Sequence, residues 1–291
     1  MKLVNRAALA VWLILAIFAL PVSAAVAQSD APSSGVPQPL IDPANKAFML
    51  GDYGTAAQLW EKAAAAGDPE AMNNLGILYY KGLGVKRDIK QAEAWYLRAA
   101  NLGYTNAQFN LGNLYFNGDG IDQDLTEAAR WYTAAARANH LRAQYYLAQM
   151  YEHGDGVKED HMTALNWYVK SADGGLPEAK YVVGRMLLTG DGLQQDQPKA
   201  LGYLLDAASA GVPHARALLG QAYADGLGTD PNLVEAYVWL SLALDNLPAG
   251  QLQQKAFTTL RRVEHDMSQD QLASGKRLLA RMEVHQTQNQ Q

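Results

Sequence analysis

The chain has 291 residues, 49% hydrophobic and 18% charged, so it can bury a core and is not a disordered polyampholyte. Its 24 basic and 29 acidic residues leave a net charge of −5, which argues against nucleic-acid binding as its main role. It has no Cys, which excludes disulfides, thiolate zinc sites, cysteine nucleophiles and a lipidated N-terminal Cys.

Lys2 and Arg6 precede an apolar run, Ala7 to Leu20, which Pro21 and Ser23 break before Ala25-Val26-Ala27. A basic start, an apolar stretch and an A-x-A site predict a secretory signal peptide over 1–27, cleaved after Ala27. The run falls short of the ~20 residues that span a bilayer, so no membrane span is expected after cleavage. The expected location is therefore the periplasm or the exterior. Residues 28–42 (QSDAPSSGVPQPLID) have little to bury and read as a flexible linker. Residues 43–70 carry Ala47, Gly51, Tyr53, Ala56 and Ala63 at helical spacings.

From Ala71 the chain repeats with a period of 36: Ala71, Ala107, Ala143, Ala179 and Ala215 open five blocks, 71–106, 107–142, 143–178, 179–214 and 215–250. One column holds Gly76, Gly112, Ala148, Gly184 and Gly220, and another Tyr79, Tyr115, Tyr151, Leu187 and Tyr223. A Gly-x-Gly pair recurs from Gly82/Gly84 to Gly226/Gly228, and Trp95, Trp131, Trp167, Tyr203 and Trp239 share a column. Each block predicts two helices around the Gly-x-Gly turn, since Ala107, Leu111, Leu114 and Tyr115 share one helical face, as do Ala128, Trp131, Ala135 and Ala136. Gly67, Gly103, Gly175 and Gly211 are expected to end helices, while Asp68-Pro69 and Asp230-Pro231 are expected to begin them. A glycine inside the first helix costs about 1 kcal/mol of helix propensity. Its recurrence predicts that the facing helix approaches there through its Ala column, with the Trp column filling the space between blocks. Downstream, 251–285 predicts two capping helices. The first bears Leu252, Ala256, Leu260 and Val263; the second follows a capping box at Ser268 to Gln271 and bears Leu272, Leu279 and Met282. Residues 286–291 read as a disordered tail.

The five blocks follow A-x3-L-G-x2-Y-x2-G-x-G-V-x2-D-x3-A-x2-W-x3-A-A, which the first fills with Ala71, Leu75, Gly76, Tyr79, Gly82, Gly84, Val85, Asp88, Ala92, Trp95, Ala99 and Ala100. This pattern resembles the Sel1-like repeat family, a branch of the tetratricopeptide-like solenoids, in its exported bacterial form. Departures gather in the fourth block (Val183, Leu187, Tyr203) and the fifth (Thr229, Asn232, Leu244). The resemblance implies an all-α fold, a right-handed α/α solenoid of helix-turn-helix repeats. It also makes 43–70 a tetratricopeptide-like N-terminal cap.

Catalytic spacings are few. The chain has no H-E-x-x-H, G-x-S-x-G, G-K-[ST] or S-x-x-K, and no cofactor is expected. Glu152, His153, Asp155, Glu159, Asp160 and His161 form the richest polar cluster; it reads as a solvated acidic loop, with a divalent metal as the sharper alternative. The first helices offer the better site. Beside their structural columns lie Ile77, Tyr80, Phe109, Asn113, Phe116, Tyr145, Gln149, Tyr181 and Arg185, expected to line a concave groove. Aromatic anchors among amides suit a partner protein or peptide; the competing reading is padding between neighbouring helices. The resemblance implies a non-enzymatic interaction scaffold of the bacterial envelope, serving a signalling or assembly system. A cell-wall enzyme or a peptidoglycan or β-lactam binder is the alternative by family analogy.

Overall fold

A computed structural model describes residues 41–288; the expected signal peptide, nearly all of the expected linker and the last three residues lie outside them. The described residues form fourteen helices and no strand. They belong to two compact units that meet at Tyr104 and Thr105. The first holds α1 (Ile41–Met49), α2 (Tyr53–Ala65), α3 (Pro69–Lys81) and α4 (Ile89–Asn101). The second holds α5 (Thr105–Asn117), α6 (Leu125–Arg137), α7 (Leu141–His153), α8 (His161–Asp173), α9 (Pro177–Thr189), α10 (Gln197–Ser209), α11 (Pro213–Asp225), α12 (Leu233–Leu244), α13 (Gln251–Asp266) and α14 (Gln269–Gln288). Within each unit, from α1 to α4 and from α5 to α13, every helix packs on the next, the pattern of an α/α solenoid. The last helix, α14, packs on α12.

One set of caps sets the helix lengths. Asp88, Asp124, Asp160, Asp196 and Asn232 precede the second helices, and each side chain accepts a backbone N–H from the first turn, as Asp124 does from Glu127 at 2.9 Å. Their own amides donate back to Tyr79, Tyr115, Tyr151, Leu187 and Tyr223, which closes each turn at 2.8–3.0 Å. This register moves one expected boundary. Asp230-Pro231 lies in the turn, and Asn232 caps α12 because it occupies the column of the four aspartates. Asp68-Pro69 begins α3 as expected, with Asp68 accepting from the Ala71 amide at 2.8 Å.

The turn glycines hold positive φ, 72° at Gly82 and 67° at Gly84. Gly84 has a second constraint, since an added Cβ would lie 2.6 Å from the Tyr53 carbonyl carbon; Gly228 meets Gln197 oxygen at 2.5 Å in the same way. At the ends of second helices the left-handed residue is Gly67, Gly103, Gly175 or Gly211, and Asn139 takes the place once with φ 63°.

The helical glycine column has a different cause from the one expected. An added Cβ at Gly76 would lie 2.5 Å from the Tyr96 ring, and at Gly112 it would enter the Tyr132 ring; at Gly184 and Gly220 it would meet Leu204 and Leu240 at 2.9 and 2.7 Å. The intruding column is therefore the residue after each Trp or Tyr203, not the Ala column. Tyr96, Tyr132, Tyr168, Leu204 and Leu240 are all buried. The Trp column is less uniform than expected: Trp131 and Trp239 are buried, but Trp95 and Trp167 are half-buried beneath Arg98 and Lys170, 4.6 and 4.4 Å from the ring centres.

At the C-terminus α13 packs on α11 and α12. Gly275 of α14 sits against the Tyr237 ring, where a Cβ would lie 2.8 Å away. The helix runs to Gln288, into the segment read as a tail.

Candidate binding face

All nine expected groove residues lie on first helices, and all are half-buried. Ile77 and Tyr80 belong to α3 of the first unit. There the Arg87 Nε donates to the Tyr80 carbonyl at 3.0 Å. The other seven belong to α5, α7 and α9 of the second unit.

In the second unit the aromatics from α5 to α8 form a continuous ladder, and Tyr181 of α9 forms a separate pair. Phe109 stacks on His140 (ring centres 4.4 Å apart, planes at 24°) and on Tyr146 (5.9 Å, 28°). Tyr146 stacks on Tyr132 at 5.7 Å, and Tyr145 meets Tyr146 and Tyr168 edge-on at 5.7 and 5.6 Å. Phe116 approaches Tyr132 at 6.4 Å, while Tyr181 tilts against His214 at 5.7 Å. Each contact of this kind contributes on the order of 1 kcal/mol beyond area burial. Phe109, Tyr145 and Tyr181 thus pack the seams between successive helices and leave only a minor part of their surface exposed.

The polar residues of the face are oriented by this ladder. The Tyr132 hydroxyl donates to Asn113 Oδ1 at 2.7 Å, Gln149 Nε2 donates to the Tyr145 hydroxyl at 3.3 Å, and the Tyr168 hydroxyl donates to Glu152 Oε2 at 2.5 Å. Burial and then the neighbouring tyrosine and acidic side chains push the Tyr145 hydroxyl pKa upward, and burial and then Glu152 do the same to Tyr168; both phenols stay neutral. Arg185 pairs loosely with Asp191 at 3.4 Å. In the next repeat Gln221 is already engaged: it accepts from Thr259 of α13 at 2.7 Å and donates to Asp225, which also holds Arg262. At this position the capping helix α13 supplies the partner, whereas Asn113, Gln149 and Arg185 find theirs within their own repeats.

Sequence reasoning missed Tyr132 and Tyr168, although their column recurs every 36 residues beside the Trp column. It also missed Tyr146 and His140, which belong to no recurring column. The acidic loop does not gather into a centre. His161 pairs with Glu159 at 2.9 Å, Asp160 caps α8, and Glu152 turns to Tyr168. Among the described residues no three His, Asp or Glu side chains are grouped to hold a metal ion. No described helix is long and apolar enough to cross a membrane.

The Sel1 repeat family model matches residues 47–68, 69–104, 105–140, 141–176, 177–212 and 213–246. Its units begin two residues before the alanine-defined blocks and include a sixth inside the N-terminal cap. A Sel1 repeat protein from Oxalobacter formigenes is 31% identical with a TM-score of 0.66, over 72% of this chain and 86% of that one. The protective antigen c5321 of uropathogenic Escherichia coli, which displays the same type of repeat fold, is 25% identical with a TM-score of 0.55, over 84% of this chain and 60% of that one. No functionally curated protein matches the chain. Sel1 repeat proteins are generally protein-interaction scaffolds, and the fold is typically non-enzymatic. With six matched repeats across most of its length, this chain belongs to the Sel1 repeat family.

Proposed function

We propose that this chain is an exported, non-enzymatic scaffold that holds a partner polypeptide on the first-helix face of repeats 105–212, serving an envelope signalling or assembly system. The carrying observation is the ladder of Phe109, Tyr146 and Tyr145, partly exposed and interleaved with oriented amides, with Tyr181 partly exposed on the next first helix. Rigid aromatics lose little conformational freedom on binding, and the amides and Arg185 supply directional contacts. Export rests on the basic, apolar and A-x-A parts of residues 1–27.

Two measurements test the proposal. A photo-crosslinking side chain at Asn113 or Gln149 should capture one polypeptide in cells, while the same group at Arg130 or Lys170 on the second helices should not. Equal capture from both sets would remove the face assignment. N-terminal sequencing of the accumulated protein should begin at Gln28; an intact Met1 would remove the export assignment.

A further inference from the structure

Recurring contacts tie each repeat to the one before it, and the joint between α8 and α9 lacks two of them. Gln144 of α7 donates to the Ala136 carbonyl at the end of α6 at 3.1 Å, and Arg216 of α11 donates to the Ala208 carbonyl at the end of α10 at 3.1 Å. In α9 the same column holds Lys180, and the matching acceptor is Ala172 of α8. Lys180 instead turns to Asp206 of α10, with Nζ 2.6 Å from Oδ2. Its bond stays inside one repeat and does not tie α9 to the end of α8.

The turns show the second difference. A Cβ added at Gly84, Gly156 or Gly228 would collide with the backbone of Tyr53, Leu125 or Gln197, so each of these turns rests on the first residue of the preceding second helix. A Cβ added at Gly192 would meet only Met186 Cε of its own repeat within 4 Å, at 3.4 Å. The residue on which this turn would rest, His161 of α8, is exposed, whereas Tyr53, Leu125 and Gln197 are half-buried. The aromatic ladder stops at the same place: Tyr145 reaches Tyr168 of α8, but Tyr181 of α9 turns onward to His214.

The apolar core continues across the joint, where Tyr168 and Ala172 share a cluster with Ala179 and Val183, and the Tyr203 hydroxyl donates to Asp173 Oδ1 at 2.8 Å. Apolar packing is non-directional and lets helices slide by small amounts, whereas the two missing contacts would fix an angle. In a solenoid each repeat touches only its neighbours, so one loose joint changes the curvature of the stack. We propose that the joint between α8 and α9 is a hinge, on which repeats 105–176 and 177–246 tilt as two blocks and open or close the first-helix face between Tyr145 and Tyr181. The hinge stands whether or not that face holds a partner.

The chain has no Cys, so spin labels on introduced cysteines report distances without background. The pair Thr126→Cys/Lys199→Cys spans the joint and the pair Lys199→Cys/Gln254→Cys does not; all three positions are exposed. Pulsed electron resonance should give the first pair a distance distribution about twice as wide as the second. Lys180→Gln offers Ala172 the amide that Gln144 gives Ala136, and should narrow the first distribution to the width of the second. Lys180→Ala, which only removes the Asp206 pair, should leave it broad. Equal widths for the two pairs before substitution would overturn the hinge, as would a Lys180→Gln distribution as broad as that of Lys180→Ala. Amide exchange reads the same joint in the unlabelled protein. The Asp196 amide, bonded to the Leu187 carbonyl, should exchange about tenfold faster than the Asp160 and Asn232 amides, which make the same bond in turns that rest on the preceding helix. Equal protection at all three would overturn the proposal even if labelling perturbs the fold.

Discussion

Gly112 and Gly202 both lie inside helices of the second unit, and the structure assigns them opposite roles. A Cβ at Gly112 would enter the ring of Tyr132, which is 1% exposed and cannot withdraw. Gly112→Ala is expected to destabilise the protein by about 1–3 kcal/mol through overpacking. A Cβ at exposed Gly202 would meet nothing within 4 Å. Gly202→Ala is expected to stabilise by roughly 0.5–1 kcal/mol through helix propensity and the unfolded chain. Denaturant titration of the two variants checks both signs. His140 offers a third residue-scale test. Its ring stacks on Phe109 while Nδ1 accepts the Ala143 amide, a role open only to the neutral form. Burial, then Arg142, lowers its pKa from 6.5 to about 4. Because the folded state resists protonation, this stability is complete above pH 6.5 and is lost as pH falls toward 4, by an amount on the order of 2–3 kcal/mol. His140→Asn keeps a capping acceptor and should flatten the melting temperature between pH 7 and 4; an unchanged acid slope would assign the loss to other groups.

Among the elements, the second helices depend on one side-chain acceptor each, and the column of Asp88, Asp124, Asp160, Asp196 and Asn232 is legible in the repeat. Asp124→Ala should cost about 1 kcal/mol, read by thermal melting. The joint between α10, α11 and α12 was not legible. Arg216 is 4% exposed, and its guanidinium donates to the Ala208 carbonyl at 3.1 Å and the Leu242 carbonyl at 3.3 Å. Gln144 makes the corresponding bond to Ala136 at 3.1 Å, one amide where Arg216 spans two helix ends. Arg216→Ala should cost about 2–4 kcal/mol, because it opens a cavity and removes two charge-assisted bonds to helix-end carbonyls. Charge-neutral Arg216→Gln should recover part of that loss through the single bond that Gln144 makes. The period named the position, but an Arg and a Gln in one column look unrelated until both are seen capping the preceding helix.

At the scale of the molecule, the charge is unevenly distributed. The repeats from 105 to 250 hold seventeen acidic and nine basic side chains, a net of −8, while the capping helices over 251–288 carry six basic and four acidic side chains. Captured partners with basic segments should therefore bind less tightly as salt rises from 50 to 500 mM, roughly the range over which the Debye length contracts from about 14 to 4 Å. Affinity independent of salt would count against a cationic partner. The 36-residue period by itself determined the helix pairs, the turns and the family, because each of those depends on residues close together in sequence or on the spacing of apolar positions. Only the tertiary structure decided which column faces the helical glycines, that Phe109 rests on His140, and that Arg216 and Gln144 cap the preceding helices. Those outcomes depend on side chains brought together from different helices, where rotamer and tilt select the contact and linear spacing does not.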